Sequence, residues 1–393
     1  MWVDFGRTGS YILMTLDIIS RFVPMEENTV PKVYGKEYTK KELLDRVGDM
    51  SQIAGVKRMT LSEGREAGVD VVEFRVGEGF SFYVLPGRGM DITSAEHNGR
   101  SLAWRAAAGE SSANFFEPEG LGWLRNFPGG LVATCGMTYA GAPCEDLGEP
   151  LGLHGRMGNT PATNVWVDAE WVGDDYVMWA QGKIREARLF GENIVLTRKV
   201  SAVMGSNKIM IDDVVENVGA RKVPHMMLYH INGGFPAVDE GSLLVSPTKS
   251  ATPRDAEAEI GKETYNIMDA PTFGYAEKCY YHDLGSEPDG TVLTALINKN
   301  LPGGENFGFY VKYNINELPK FTEWKMMGNQ EYVVGMEPAN CWVEGRGKER
   351  ERGTLKFLKP GEKAEYHLEI GVLTTPEEVV QFEKRVELMR ANG

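Results

Sequence analysis

Along most of the chain, hydrophobic residues recur at every second position in short runs, the spacing of a strand with one face buried. The runs Val71–Val76, Ser81–Leu85, Asn164–Trp171, Tyr176–Ile184, Ile194–Val203, Lys208–Glu216, His225–Asn232, Thr291–Asn298, Gly308–Tyr313, Tyr332–Met336, Thr354–Leu358 and Ala364–Leu373 read as strands. They are rich in Val, Ile, Tyr, Phe and Trp, and Gly-Asp, Gly-Ser, Asn-Val-Gly and Pro-Gly turn signals separate them. Two segments follow the helical period instead. Thr39-Lys-Lys-Glu42 is a capping box opening a short run to about Val47. Thr375-Pro376-Glu377-Glu378 supplies an N-cap, a proline at the first helical position and a glutamate at the third. Val379, Phe382, Val386 and Met389 then recur at helical spacing. Helices and strands do not alternate, which disfavours a doubly wound parallel sheet. The pattern predicts an all-β protein: a large antiparallel β-sandwich in one domain, with a short N-terminal helix and a C-terminal helix.

Composition narrows the partners. With 56 acidic against 42 basic residues and a formal charge of -14, the chain lacks the basic surface that a phosphate backbone requires, so no nucleic acid is expected. No apolar run reaches the length of a spanning helix, and no membrane partner is expected. The opening MWVDFGRTGSYILMTLDIIS carries Asp4, Arg7 and Asp17 among its apolar residues and has no basic start or small-residue cleavage site. It does not read as a signal peptide, and the residues before Met14 read as a loosely attached extension. Cys135, Cys144, Cys279 and Cys341 are widely spread with no CxxC, as expected of reduced thiols in the cytoplasm. The 46 glycines suit many tight turns. The stretch Ala106–Leu151 is loop-like and too long for a plain connection, so it reads as a functional loop region.

Three histidine- or glutamate-bearing segments hold the candidate chemistry. In Leu228-Tyr-His-Ile-Asn-Gly-Gly-Phe-Pro236, alternation puts His230 and Asn232 on one strand face, and His225 and Tyr229 on the other. His225 therefore reads as a structural hydrogen-bonding residue. His154 in Leu151-Gly-Leu-His-Gly-Arg156 lies between glycines, where its imidazole is either open to a ligand or capping a turn. Glu337 in Tyr332-Val-Val-Gly-Met-Glu-Pro338 ends an apolar strand; burial there would raise its pKa towards neutrality, whereas a plain strand-end glutamate would pair with Arg346. Arg88, Arg125, Asn126, Arg156, Asn232, His282, Asp283, Trp324 and Lys325 are candidate ligand-binding residues. Arginine forks, amides and a flat indole suit a polyhydroxylated molecule. Walker A, GxSxG and HExxH motifs are lacking.

Taken in order, the segments resemble the aldose 1-epimerase (galactose mutarotase-like) superfamily, and most closely its divergent bacterial branch of unknown function. LGLHGRMGNTPA is similar to that family's Leu-His-Gly loop, LYHINGGFP to its histidine strand end and VVGMEPANCW to its glutamate strand. RGMDI, FPGGLVATCGMTYAG and LPKFTEWKMMG resemble blocks of the branch itself, and the likeness runs from about Val71 to Leu373. It implies a mutarotase-like sandwich over residues 61–393, preceded by an N-terminal extension with a short helix over residues 1–60. It also implies sugar anomer interconversion without cofactor or metal. Glu337 would be the base at the anomeric hydroxyl, His230 the acid at the ring oxygen, and His154 a second histidine near that oxygen. Acid and base are expected on opposite sides of the sugar ring, each with a pKa near 7. The strand end departs from the commoner His-Pro-Tyr-Phe-Asn, with phenylalanine arriving later as Phe235. Arg125, Arg88 and Arg156 compete as the binding arginine, and His282-Asp283 is the candidate for the gripping aspartate. A small-molecule carbohydrate is the expected partner, with a homodimer left open. Rival readings are a carbohydrate-binding module without turnover, a sugar-phosphate epimerase, and a metal-dependent isomerase or lyase using His154, His230, His282 and Glu337.

Overall fold

The computed structural model describes residues 31–391. The expected loose extension before Met14 lies outside them. Two large antiparallel sheets form the body. The 12-stranded sheet runs Thr248–Pro253, Lys278–Leu284, Lys320–Gly328, Glu331–Ala339, Val223–Gly233, Val132–Met137, Asp91–His97, Phe80–Leu85, Asp70–Gly77 and Gly55–Thr60, with Arg100–Ser101 and Lys356–Leu358 attached beside this path. The 8-stranded sheet runs Thr163–Val172, Asp175–Ala187, Asn193–Val203, Lys208–Asn217, Lys363–Leu373, Phe307–Asn314, Thr291–Asn298 and Leu243–Val245. The all-β sandwich expected from the alternation is the fold observed. Both expected helices form. Lys40–Leu44 has its complete Thr39/Glu42 capping box. Pro376–Ala391 buries Val379, Phe382, Val386 and Met389 against Leu293, Ile297 and Leu373.

The main core lies between the two sheets. Phe74, Phe82, Ile92, Met227, Tyr229, Ile231 and Met336 of the larger sheet belong to one cluster with Met178, Leu196, Ile211, Phe309, Leu368 and Ile370 of the smaller. Val33, Leu43, Val47, Met50 and Ile53, from the segment expected as an N-terminal extension, join the same cluster. A second cluster covers the outer face of the larger sheet at its centre, where Trp123 and Phe127 meet Ala133, Cys135, Leu228 and Ala339. Val223–Gly233 is therefore enclosed on both faces.

Strands buried on both sides lose the polar half of the alternation, and that is where the sequence pattern misleads. Val132–Met137, inside the stretch read as loop, has every residue buried. Lys320–Gly328 turns Glu323 and Lys325 inward, so its polar residues do not mark the solvent side. Gly55–Thr60, Asp91–His97, Thr248–Pro253 and Lys278–Leu284 also extend the larger sheet beyond the expected strands.

A charge network ties the sheets together behind the central strand. Arg198 of the smaller sheet donates to both carboxylate oxygens of Asp213 and reaches across to Asp91 Oδ1 at 3.2 Å and Thr134 Oγ1 at 2.9 Å. Tyr229 of the larger sheet donates to Asp213 Oδ2 at 2.6 Å. Arg198 and Asp213 are 1% and 0% exposed, so neither charge has water to fall back on. Removing one member strands the other, at a cost of about 3–5 kcal/mol. Arg198→Met is accordingly expected to lower unfolding stability by that order in urea denaturation. The joint change Arg198→Met with Asp213→Leu should cost less than Arg198→Met alone, and equal or greater loss in the pair would refute the stranded-charge account.

Candidate active site

The site is built on the outer face of the larger sheet. In the register, Ile231 lies opposite Met336 and Asn232 opposite Gly335, while Thr322 lies opposite Glu337. Alternation then sends Tyr229 and Ile231 into the core and His230 outward beside Glu337. His230 Nε2 stands 3.2 Å from Glu337 Oε1, with side chains only 6% and 3% exposed. Gly335 makes room for this contact. A Cβ added there would lie 3.0 Å from Glu337 Oε1 and 3.2 Å from both His230 Cε1 and Trp324 Cβ.

His154 arrives from a loop pinned across the neighbouring strand. Its backbone takes φ 56°, its N–H donates to Gly141, and its carbonyl accepts from Gly136. Gly155 follows at φ 83°, where a Cβ would lie 2.2 Å from the Gly136 oxygen, so glycine is a steric requirement directly after His154. The His154 ring meets His230 edge-on at 5.6 Å and Trp123 at 4.7 Å. Phe127 at 5.6 Å and Trp324 at 5.2 Å complete the wall around His230, and Trp104 packs on both. Phe235, the late phenylalanine of the strand end, is 66% exposed and takes no part in this wall.

Burial sets the electrostatics. It pushes Glu337 up to about 8, reinforced by the Glu277 charge and opposed by Arg254. It pulls His230 down to about 4, against the Asn232 side chain and the charge of Glu277. His154 falls to about 3 through burial and the proximity of His230. The expectation of two groups near 7 is therefore replaced by a pair that spreads about neutrality and holds one proton between them. His154 Nδ1, His230 Nδ1, Asn232 Oδ1 and Thr322 Oγ1 are buried polar atoms without a hydrogen-bond partner among the described residues. Such atoms are costly unless a ligand or water meets them.

Of the candidate residues, His154, His230, Glu337 and Trp324 come together. Asn232 supports the same strand, its amide donating to the Gly130 and His230 carbonyls. Arg88 is buried and spends its donors on Ser111, Gly158, Asn159 and the Asn126 carbonyl. Asn126 is bound to Ser111, Asn159 and Arg65. These two brace the turn Gly122–Asn126 that presents Trp123, and do not themselves reach His230. Arg125 is largely exposed and pairs with Glu117. Arg156 is exposed as well. His282 and Lys325 project to the core side of the sheet. His282 meets Glu323 and Thr248, and Lys325 meets Asp269 and the Thr264 and Ile267 carbonyls. Alternation sends Asp283 outward, where it is exposed. A metal set of His154, His230, His282 and Glu337 does not converge, because His282 lies on the opposite face. Arg346, the alternative partner of Glu337, is bound to Asp146 and Glu149.

Sequence reasoning missed Trp104, Phe127, Arg254 and Glu277. Arg254 follows one edge strand and donates to Glu277 Oε1 at 3.0 Å and Cys279 Sγ at 2.9 Å. Its signal was only an arginine in Thr-Pro-Arg-Asp255, indistinguishable from a solvated turn. Trp123 and Phe127 at four-residue spacing in an otherwise loop-like stretch were the available hint of an aromatic wall.

Residues 66–372 match the family described as Domain of unknown function (DUF4432). Among solved structures, the chain is similar to a candidate aldose 1-epimerase from Klebsiella pneumoniae, with a TM-score of 0.81 and 26% identity over 85% of this chain and 87% of that one. It also shares its fold with a galactose mutarotase-like protein from Clostridium acetobutylicum, with a TM-score of 0.56 and 12% identity over 82% of this chain and 100% of that one. No curated protein matches the chain.

The contrast between the two titrations is measurable. In a carbon-13 NMR pH series, the Glu337 carboxyl is expected to change near 8 and the His230 ring near 4. Midpoints near 4.3 and 6.5, as in water, would mean that burial does not govern the pair.

Proposed function

Because the chain belongs to the DUF4432 family, whose description assigns no activity, we propose from the site itself that it is an isomerase of aldose 1-epimerase (mutarotase) type. It interconverts the anomers of a sugar or sugar derivative, without a cofactor, in the reducing cytoplasm. The observation that carries this reading is the buried His230–Glu337 contact, 3.2 Å long and walled by His154, Trp123, Phe127 and Trp324.

Anomer exchange needs the anomeric hydroxyl to lose a proton while the ring oxygen gains one. Both oxygens are bonded to the same carbon, so acid and base belong side by side, and the expected placement across the ring gives way to this one. Glu337 takes the hydroxyl proton and protonated His230 gives its own to the ring oxygen. The bond between anomeric carbon and ring oxygen breaks, and an aldehyde forms. After rotation about the adjacent carbon–carbon bond, His230 takes the proton back, Glu337 returns one to the carbonyl oxygen, and the ring closes on the other face. Every turnover leaves the pair with the single proton it began with, so no external donor is needed.

Burial disfavours both charged forms, so the resting pair holds its proton as a carboxylic acid beside a neutral imidazole. The proton crosses the 3.2 Å contact to reach the reactive arrangement. Neutral His154 is suited to hydrogen-bond the sugar near its ring oxygen and not to act as an acid. Trp324 and Trp123 offer apolar faces, and Thr322 Oγ1 and Asn232 Oδ1 are unspent polar atoms on the same sheet face. A neutral sugar suits this lining better than a phosphorylated one, because Arg88 and Arg125 are occupied and Arg254 is paired with Asp255 and Glu277.

Saturation-transfer NMR of anomer exchange across aldoses, uronic acids and phosphorylated sugars tests the assignment. Glu337→Gln should lower the rate by about 10²–10⁴-fold, the usual worth of a positioned acid or base. Undiminished exchange in that variant sinks the assignment, and calorimetric binding without exchange would point to a carbohydrate-binding module. Below about 4 both groups carry protons and no base remains; above about 8 both have lost them and no acid remains. The exchange rate is therefore expected to be flat between these limits and to fall on either side. A narrow optimum centred at 6 would contradict the single-proton pair.

A further inference from the structure

Glu277 lies just ahead of the strand Lys278–Leu284, outside every motif in the sequence, yet it is bonded to the wall of the site. Trp324 Nε1 donates to Glu277 Oε2 at 2.8 Å, and Arg254 Nη2 donates to Glu277 Oε1 at 3.0 Å. Arg254 is in turn held by Asp255 Oδ2 at 2.8 Å and Cys279 Sγ at 2.9 Å. The indole so anchored makes a T-shaped contact with the His230 ring, with centroids 5.2 Å apart and planes at 76°. On its other side the same ring meets Trp104 at 6.4 Å. Trp324 and His230 also flank Gly335 together, since Trp324 Cβ and His230 Cε1 each lie 3.2 Å from where a Cβ on that residue would stand.

The charges that reach the reacting pair single out the same carboxylate. Cys135, Cys279 and Cys341 stay protonated because burial raises their thiols, and His154 stays neutral because burial lowers its imidazole. Glu277 and Arg254 remain as the charged neighbours acting on Glu337, with Glu277 also acting on His230.

We propose that Glu277 is a positioning residue for the His230–Glu337 pair, fixing the Trp324 indole against the imidazole while Arg254 holds the carboxylate in place. The proposal rests on the anomer-exchange reading for its kinetic consequence, but not for the contact itself. Glu277 does not touch the reacting atoms; it sets the direction in which His230 offers its proton. Its charge also favours the protonated forms of both partners, so the pH window of the pair depends on it.

The test compares Glu277→Ala, Glu277→Gln and Trp324→Phe in the full chain, with folding verified by circular dichroism. Glu277→Ala should lower kcat by about ten- to hundredfold, the range expected when a catalytic group is displaced by up to an ångström, and leave KM unchanged. Trp324→Phe, which loses the indole N–H, should show a similar loss, and combining it with Glu277→Ala should add little, because both break one contact. Glu277→Gln keeps an acceptor for the indole, so it should retain most of kcat while both limbs of the pH profile move to lower pH. Folded Glu277→Ala with wild-type kcat and unshifted limbs overturns the proposal, as does full additivity of the two losses. If the wild type exchanges no sugar, the functional reading fails on its own. The His230 ring resonance then decides the matter without turnover: it should move in Glu277→Ala, and an unmoved resonance and titration midpoint overturn the positioning role.

Discussion

The two-residue period of the strand Val223–Gly233, enclosed on both faces, is the constraint on which the rest depends. One face must serve the core and the other must serve the site, and consecutive residues are assigned to opposite tasks. Tyr229 goes inward to Asp213, closing the Arg198 network that joins the sheets. His230 goes outward to Glu337. A slip of one residue would put either His230 or Leu228 onto the buried arginine–aspartate pair, with Ile231 or Tyr229 respectively beside the carboxyl. The interaction that secures the sandwich thus also secures the direction of the proposed chemistry, because both are read from adjacent positions of one strand.

Burial has opposite consequences for the two charge sets on either side of that strand. Between the sheets, Arg198 and Asp213 compensate each other through paired hydrogen bonds. Outside, Glu337 and His230 share a longer, single contact, and desolvation keeps the pair near neutrality. A fixed ion pair is useful for holding layers together. The proposed anomer exchange needs the other arrangement, a pair whose one proton can reside on either partner.

The arginines illustrate how residue type misleads without placement. Arg88 belongs to a motif that reads as ligand-gripping, yet its donors brace the loop behind Trp123. Arg254, in an unremarked turn, stands beside the site with Glu277. Histidines divide in the same way. His230 and His282 are both buried and both sit 3.2 Å from a glutamate, but on opposite faces of the larger sheet. One pair meets the aromatic wall of the site and the other meets Tyr265 and Phe321 in the interior.

Local pattern alone was enough for the fold class, for both capped helices, for most strands of the smaller sheet, and for the division of His225 from His230. Each of these is a matter of period or of neighbours within four residues, which the chain order states directly. The ordered segments around His154, His230 and Glu337 were also legible, as a resemblance. The sequence did not reveal Val132–Met137 as a strand, since burial on both faces erases alternation. Nor did it reveal the inward turn of His282 and Lys325, the scaffold role of Arg88 and Asn126, or the Glu277–Trp324 anchor. Those depend on which strands lie side by side and in what register. Residues 230 and 337, or 277 and 324, become neighbours only once the sheet has closed, and no spacing along the chain encodes that distance.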